Sequence, residues 1–470
     1  MKAKERMAIE RQTCAELSPE IRIDNYDEVA LGFTFDLARK EALRCLNCKK
    51  PGCRKGCPIN NDIPAFIGLV AEGKFEEAYW KVRETSSLPA ICSRVCPHEN
   101  QCEGSCIRAK KGKAVAIGLI ERFMSDWMVY HQKNMLAECA LPMGKKVAIV
   151  GSGPAGMTAA YHLAHAGIEC TIYESLPVFG GMLKVGIPPF RLPRHIINAE
   201  FAVLKNCGVK IVHDVVIGRD ITLDELKNDH GFDAVFIGIG AHTSRKLGVE
   251  GEDMAGVRHG IDYLREVLSG KKVAIGNNVV VVGGGNVAID CARVALREGS
   301  ENVFILYRRT IEEMPASTEE IHHLQQEGVK IEFLAAPVRI LGENGRMTGI
   351  ECVKMELGPP DDSGRRRPVV IEGSNFTIDA DCVIPAISQD VDHEADKGHE
   401  LTLTSWGTYI VDKTTFQTNV DWIFSAGDSV LGPQTVAKAV YQAKEAAESM
   451  RRYLQGEDMR AGRDVRDLDS

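Results

Sequence analysis

Eight of the fifteen cysteines lie between positions 45 and 106, a density that points to metal or redox chemistry. In chain order they are Cys45, Cys48, Cys53, Cys57, Cys92, Cys96, Cys102 and Cys106. The run CLNCKKPGCRKGCP holds a single CxxC pair, whereas ribbon-type zinc sites use two. Runs that close with Cys-Pro are typical of iron–sulfur sites, in which the last cysteine can serve another cluster. The spacing therefore favours two iron–sulfur clusters over zinc or plain buried thiols.

A glycine-rich turn follows the apolar run VAIV. Gly151, Gly153 and Gly156 form GxGxxG, the pattern that allows a tight turn, close approach of a pyrophosphate and close packing of helix on strand. Glu174 ends the next apolar run, where a carboxylate can hydrogen-bond a ribose hydroxyl and would repel a 2′-phosphate. This turn therefore suits FAD or NAD rather than NADP.

A second turn of the same kind has the GxGxxA form, with Gly283, Gly285 and Ala288. At the ribose position it offers Arg308 and Arg309 in place of a carboxylate. Two guanidinium groups are the expected partners of a 2′-phosphate, so this turn favours NADPH over NADH. The alternative is that the two arginines only line a solvated edge.

Two βαβ units must position these turns, one starting near residue 144 and one at Asn278. Residues 25–130 are typical of short helices around cysteine-rich turns, with a helical run broken at Gly73. Strand-rich segments lie between the units and after residue 330, and the last helix reads VAKAVYQAKEAAESMRRYL. The charged end of the chain predicts a frayed tail.

Length and charge limit the class of protein. The 470 residues suggest about three folding units. The start, MKAKERMAIERQT, lacks the apolar stretch of a signal peptide, and no later segment has about 18 uninterrupted apolar residues. We therefore expect a cytoplasmic protein with reduced thiols and no membrane span. The net charge of -8 and the lack of a basic stripe disfavour nucleic acid as a partner.

Two nested dinucleotide folds followed by IFSAGDS resemble the two-dinucleotide-binding-domain flavoproteins. The resemblance implies that Asp428, after Gly427, contacts the ribityl or pyrophosphate part of FAD. It also implies that Gln434, Thr435 and Val436 lie where the last helix points its amino end at the flavin. The flavin and NADPH segments offer no CxxC pair, so we do not expect a dithiol relay like that of thioredoxin reductase.

A closer resemblance covers about residues 35–455. The motifs CLNCKKPGCRKGCP, LPAICSRVCPHENQCEGSC, AIGLIERF, VAIVGSGPAG and GGMLKVGIPPFRLP resemble the small (beta) subunit of bacterial NADPH-dependent glutamate synthase. The same module occurs in dihydropyrimidine dehydrogenase and in the large subunit of the electron-bifurcating NADH-dependent ferredoxin:NADP oxidoreductase. The fold implied is an α-helical iron–sulfur domain followed by an α/β flavoprotein with nested Rossmann-like domains.

The resemblance also implies a ligand set for each [4Fe–4S] cluster. One set is Cys45, Cys48, Cys53 and Cys106, and the other is Cys57, Cys96, Cys102 and Glu121. Cys92 belongs to neither set. For Glu121, the alternative to a role as cluster ligand is a position on the surface of its helix. The expected cofactor contacts are Gly151, Gly153, Pro154, Ala155, Gly156, Glu174, Gly181, Gly283, Gly285, Asn286, Ala288, Arg308, Arg309, Gly427, Asp428, Gln434, Thr435 and Val436.

The expected domains follow from these assignments. They are a helical two-cluster domain at 1–140, FAD-binding segments at 144–270 and 386–456, an NAD(P)H-binding domain at 271–385 and a flexible tail at 457–470. Hydride transfer runs from cofactor to cofactor, so no catalytic side chain is expected. One departure from the family is Ser388, where relatives usually have glycine.

The function implied is transfer of electrons from NADPH through FAD and two [4Fe–4S] clusters to a protein partner in a hetero-oligomer. Glutamate synthase also needs a glutamine amidotransferase and an FMN barrel, and the sequence has neither. The alternatives are the bifurcating oxidoreductase, another redox complex, and a scaffold without NADPH turnover. The intact GGGNVA turn and both arginines argue against the scaffold.

Overall fold

The computed structural model describes residues 1–131, 133, 135, 139–361, 364–466 and 468. Within these residues, no helix is both long and apolar enough to cross a lipid bilayer.

Short helices around the cysteine-rich turns build the amino-terminal part. They are α1 (Ala3–Ala8), α2 (Pro19–Arg22), α3 (Phe35–Ala42), α4 (Gly52–Gly56), α5 (Ile63–Glu72), α6 (Phe75–Arg83), α7 (Pro89–Val95) and α8 (Ile117–Tyr130), with 3-10 turns at His98–Asn100 and Ile107–Lys111. The Thr34 side chain caps α3 by accepting a hydrogen bond from the Leu37 amide. Helix α5 ends at Gly73, whose φ of 82° is the left-handed conformation that glycine adopts readily.

The first βαβ unit forms a five-stranded parallel sheet in the order β15-β4-β1-β2-β3. Its elements are β1 (Lys146–Val150), α9 (Pro154–His165), β2 (Glu169–Tyr173), α10 (Met182–Val185), α11 (Arg194–Asn206), β3 (Lys210–Val212), α12 (Leu223–Asn228), β4 (Ala234–Ile237), β15 (Ile423–Ser425), α16 (Asp428–Leu431) and α17 (Val436–Gln455). Strands β1 and β4 are apolar runs because helices and loops cover both faces of the sheet.

The second unit forms a four-stranded parallel sheet in the order β13-β6-β7-β8. Its elements are α13 (Gly260–Leu268), β6 (Asn278–Val282), α14 (Asn286–Arg297), β7 (Asn302–Tyr307), a 3-10 turn (Ile311–Glu313), α15 (Thr318–Gln326), β8 (Lys330–Phe333) and β13 (Cys382–Pro385). An antiparallel sheet of β9 (Ala335–Glu343), β10 (Arg346–Pro360), β11 (Arg366–Val370) and β12 (Phe376–Asp379) follows β8. The short strands β5 (Thr243–Ser244) and β14 (Gln389–Asp390) pair where the chain passes between the units.

Two of the expected domain limits differ from the structure. The sequence boundary at 270 assigns α13 to the first unit, but its side chains Tyr263, Leu264 and Val267 pack in the core of the second unit. The end of the chain is not free up to Arg466, which donates hydrogen bonds to the carbonyls of Lys55 and Cys57. The arginines of this segment donate hydrogen bonds to carbonyl and carboxylate oxygens of the folded part. The charged composition of the segment had instead predicted a frayed tail.

Candidate functional site

The first glycine turn is shaped to leave one side open. Gly151 has a φ of 96°, and a Cβ there would lie 2.7 Å from the Gly238 carbonyl oxygen. A Cβ at Gly156 would collide with the carbonyl oxygen of Gly151. At Gly153, by contrast, no atom lies within 4 Å of an added Cβ. The structure thus requires glycine for packing at two positions and leaves space beside the third, as a bound pyrophosphate needs.

Glu174 lies directly against this turn and is buried. Its carboxylate accepts hydrogen bonds from the amide (3.0 Å) and hydroxyl of Ser152, and from the amide of Leu176 at 2.9 Å. The Ser152 hydroxyl also accepts a hydrogen bond from Gly180, at 2.8 Å. Sequence reasoning missed Ser152, although a hydroxyl residue inside GxG was a visible signal. The turn, Glu174 and the Gly180-Gly181 corner therefore form one hydrogen-bonded unit.

Asp428 comes to the same place from the far end of the chain. A Cβ on Gly427, whose φ is 80°, would lie 3.0 Å from the Cβ of Ala155, so the Gly-Asp pair sits at the amino end of α9. The Gln434 amide donates to Asp428 Oδ1 at 3.1 Å. Burial raises the pKa of Asp428 to about 7. A half-buried carboxyl beside an open phosphate cradle suits a polar ligand group such as a ribityl hydroxyl.

The second turn repeats the open geometry of the first. Gly283 has a φ of 145°, and a Cβ there would collide with the Ala386 carbonyl oxygen. At Gly285 the nearest atom to an added Cβ is Pro315 Cγ, at 3.9 Å. Asn286 starts α14, and its side chain accepts a hydrogen bond from the Ser317 amide at 3.2 Å. Ala288 is buried in the helix behind the turn.

The two adjacent arginines have different surroundings. Arg309 is buried; its guanidinium forms an ion pair with Asp361 at 2.6 Å and donates to the carbonyl oxygen of Arg366 at 2.8 Å. Arg308 is exposed. Partial burial, together with the charges of Arg309 and Arg365, lowers the pKa of Arg308. Arg308 thus belongs to a cationic patch open to solvent, whereas Arg309 mainly joins β7 to the β10–β11 hairpin.

The eight clustered cysteines separate into two groups in space. The Cys53 group is Cys45, Cys48, Cys53 and Cys106, and the Cys57 group is Cys57, Cys92, Cys96 and Cys102. Burial and the neighbouring thiols of Cys106 and Cys45 raise the pKa of Cys53 to about 12. Burial, with Glu121 and Cys92 contributing, raises the pKa of Cys57 to about 11. Neighbours in the run CLNCKKPGCRKGCP therefore face different groups.

Glu121 adjoins the Cys57 group and is only 6% exposed, which does not fit a surface position on α8. Burial, with the charge of Glu200 adding to it, raises the pKa of Glu121 to about 8. In the described part of the chain its Oε1 atom has no hydrogen-bond partner. A buried polar atom without a partner is costly, so this oxygen fits a ligand to a bound metal group.

Cys92 is also part of this group, although neither of the ligand sets expected from the sequence includes it. A hydrogen bond between the Cys92 and Cys96 thiols raises the pKa of Cys96. The Cys57 group thus offers four thiols and one carboxylate, one donor more than a four-iron cluster needs.

The spacing of the sulfurs bears on the kind of metal. Thiolates on one zinc ion lie about 3.8 Å apart, given Zn–S bonds of about 2.3 Å in a tetrahedron. Among the described residues, no three donors of either group lie mutually within 4.8 Å. Donors spread more widely suit a cluster, in which each thiolate binds a different iron.

A side-chain hydrogen bond links the loop of the Cys57 group to the last helix of the flavoprotein part. The side-chain amide of Gln101, which is next to Cys102, donates a hydrogen bond to the Thr435 hydroxyl at 3.5 Å. Thr435 is the N-cap of α17 and accepts a hydrogen bond from the Lys438 amide at 3.4 Å. Gln434 is exposed beside it and Val436 is the first helical residue. The Cys57 group therefore lies next to the amino end of α17.

Comparisons with known proteins agree with this architecture. Residues 22–133 match the family described as dihydropyrimidine dehydrogenase domain II, 4Fe-4S cluster, and residues 145–443 match pyridine nucleotide-disulphide oxidoreductase. Among solved structures, FprA of Mycobacterium tuberculosis in complex with NADPH superposes with a TM-score of 0.58 at 19% identity, over 66% of this chain and 85% of that chain. At that identity the likeness establishes the fold alone.

Two curated relatives are similar over most of this chain. The NADPH-Fe(3+) oxidoreductase subunit beta of Geobacter sulfurreducens is 43% identical over 86% of this chain, which spans only 63% of that relative. The glutamate synthase [NADPH] small chain of Azospirillum brasilense is 36% identical over 92% of both chains. The chain therefore belongs to the glutamate synthase small-chain family, with a 4Fe-4S domain ahead of a pyridine nucleotide-disulphide oxidoreductase domain.

Proposed function

We propose that this chain is the electron-input subunit of an NADPH-dependent redox complex and holds FAD and two [4Fe–4S] clusters. The observation that carries the proposal is the Gln101–Thr435 hydrogen bond. It joins the loop of the Cys57 group to the amino end of α17, which is expected to face the flavin. The metal-binding side chains of this group would therefore lie directly beside the flavin.

When bound, FAD would accept a hydride from NADPH and release single electrons to the clusters, which take one at a time. The first turn and α9 would hold the FAD pyrophosphate, while Glu174 and Asp428 would fix its sugar and ribityl parts. The second turn would hold NADPH, and Arg308 would attract its 2′-phosphate. The Cys53 group, with Cys45, Cys48 and Cys53 half-buried, would lie toward the partner.

The partner we favour is a glutamate synthase large subunit, because this chain and the Azospirillum small chain match over 92% of both lengths. A complex of another kind is the second candidate. It is favoured by the higher identity, 43%, to a subunit of an NADPH-Fe(3+) oxidoreductase. The bifurcating ferredoxin-linked role uses the same cofactors and stays a third option.

The test is NADPH-driven reduction of a dye by the anaerobically purified chain. We expect about eight iron and eight sulfide per chain and dye reduction with NADPH. Gly285→Ala should reduce the rate sharply, because a Cβ there fits the fold but occupies the space beside the turn. Gly68→Ala, on exposed helical surface with no atom within 4 Å of an added Cβ, is the control and should leave the rate unchanged.

Near-stoichiometric zinc without iron, or equal rates for the Gly285→Ala and Gly68→Ala variants, would contradict the proposal. Copurification from the native cell then identifies the complex. A partner with an FMN barrel supports glutamate synthesis, and a small ferredoxin-reductase-like flavoprotein supports bifurcation instead.

A further inference from the structure

A third set of metal-binding side chains lies outside both cysteine groups. Cys139, His165 and Cys207 bring one nitrogen and two sulfurs within 4.8 Å of one another. Cys139 Sγ is 3.4 Å from His165 Nδ1, and Cys207 Sγ is 3.7 Å from His165 Nε2. Neither cysteine belongs to the eight clustered ones, and 68 positions separate Cys139 from Cys207 in the sequence.

Three separate segments deliver these residues. His165 ends α9, Cys207 follows α11 as its C-cap, and Cys139 lies in the segment between α8 and β1. The His165 and Tyr161 rings pack edge to face with their centroids 4.2 Å apart, which holds the imidazole in place.

The segment that carries Cys139 is itself held against the end of α9. The Ala140 amide donates to the His165 carbonyl at 2.9 Å, and the Met143 amide donates to the Gly167 carbonyl at 2.8 Å. Gly167 has a φ of 81°, and a Cβ there would collide with the Leu141 carbonyl oxygen. Backbone contacts on both sides of His165 therefore fix the position of Cys139 relative to the imidazole.

Two thiolates and an imidazole form a donor set that prefers zinc or a similarly soft cation. A sulfur and a nitrogen on one tetrahedral zinc lie about 3.5 Å apart, given bonds of about 2.3 and 2.0 Å. The distance of 3.4 Å between Cys139 Sγ and His165 Nδ1 agrees with that value. Cys207 Sγ contacts the other ring nitrogen, at 3.7 Å from Nε2, so its side chain has to rotate toward Nδ1 to bind the same ion.

We propose that Cys139, His165 and Cys207 form a zinc site with three protein ligands and a solvent molecule. Cys139 is exposed, which leaves room for the solvent ligand. The site ties the connection between the cluster domain and the flavoprotein part to two helices of the first unit. It is independent of the cofactor sites, so its test is separate from that of the electron-transfer function.

The experiment uses the full chain, purified anaerobically with its iron content verified, then given one equivalent of zinc and desalted. We expect one zinc per chain. Zinc K-edge absorption, which the iron does not disturb, should give two sulfurs at about 2.3 Å and nitrogen at about 2.0 Å.

Cys139→Ser and Cys207→Ser should each weaken zinc binding at least about 100-fold, because removal of a ligand costs more than the 10–100-fold of an outer partner. Cys139 is exposed, so its variant should fold; His165→Gln gives a second test. Cys14→Ser, at a half-buried thiol outside the groups, is the control and should retain zinc.

Three results would overturn the proposal: zinc retention equal in all four variants, a zinc shell without two sulfurs, or a Cys139–Cys207 disulfide in protein purified without oxidant. NADPH-driven dye reduction should persist in Cys139→Ser. Failure of the zinc site is thus distinguishable from failure of the proposed function.

Discussion

Adjacent residues of one type can have different tasks, as Arg308 and Arg309 demonstrate. Both residues lie in the bend that follows β7, where Arg308 is exposed to solvent and Arg309 is buried. Asp361 neutralises Arg309, so the positive charge of Arg309 is less available to a ligand. Sequence reasoning assigned both residues to the 2′-phosphate, and the structure favours Arg308 for that role.

We expect Arg308→Ala to raise KM for NADPH about 10- to 100-fold with little change for NADH, since one charged hydrogen bond contributes about 1.5–3 kcal/mol. Arg309→Ala should instead lower stability, because it removes the ion pair of Arg309 with Asp361 and the hydrogen bond of Arg309 to the Arg366 carbonyl. Steady-state kinetics with both nucleotides and thermal unfolding measure the two effects. Arg367→Ala, an exposed arginine on β11, is the control. Equal losses for NADPH and NADH in Arg308→Ala would show that Arg308 does not read the 2′-phosphate.

At the scale of one element, α4 explains how a short run can serve two groups of donors. A Cβ on Gly52 or Gly56 would collide with the backbone or side chain of Ser105, so α4 lies very close to the loop before Cys106. Cys53 is within the helix, whereas Cys57 is its C-cap with extended backbone, φ −83° and ψ 120°. This change of conformation turns Cys57 away from the side on which Cys53 lies.

Cys53→Ser and Cys57→Ser should therefore damage different clusters. We expect each variant to lose about half of the iron and a different electron paramagnetic resonance signal, because each serine replaces a ligand of only one set. Cys14→Ser should keep both signals. Loss of the same signal from both variants would mean that α4 serves one cluster only.

At the scale of the whole molecule, the segment that contains α2 (Pro19–Arg22), here called the amino-terminal arm, joins the cluster domain to the second unit. Arg22 donates to Glu327 at 2.8 Å, and the same carboxylate accepts from Arg293 and Arg297. Burial opposes ionisation of Glu327, but the hydrogen bonds from Arg293 and Arg297 outweigh it and hold its pKa at about 2. One buried carboxylate thus joins segments about 300 positions apart in sequence.

We expect Glu327→Gln to lower the free energy of unfolding by about 3–5 kcal/mol, because it removes the buried carboxylate charge that three guanidinium groups share. The lowered pKa of Glu327 stabilises the folded state above pH 4.5 and loses this effect as pH falls toward 2. Between pH 6 and pH 4, the free energy of unfolding of the unsubstituted chain should therefore fall by about 1 kcal/mol more than that of the variant.

Urea unfolding at both pH values measures this difference, with the exposed Glu301→Gln as control. Equal stability of the Glu327 and Glu301 variants would contradict a role for the arm in joining the parts.

The sequence by itself determined the elements whose signals are local. Glycine spacing and apolar periodicity predicted both βαβ units and the break at Gly73, and the comparisons confirm the fold class. Only the tertiary structure decided which distant side chains meet: Asp361 with Arg309, α13 with the second core, and Cys139 with His165 and Cys207. Local patterns specify backbone conformation over a few residues, whereas these contacts depend on how whole elements pack, which no short window of sequence contains.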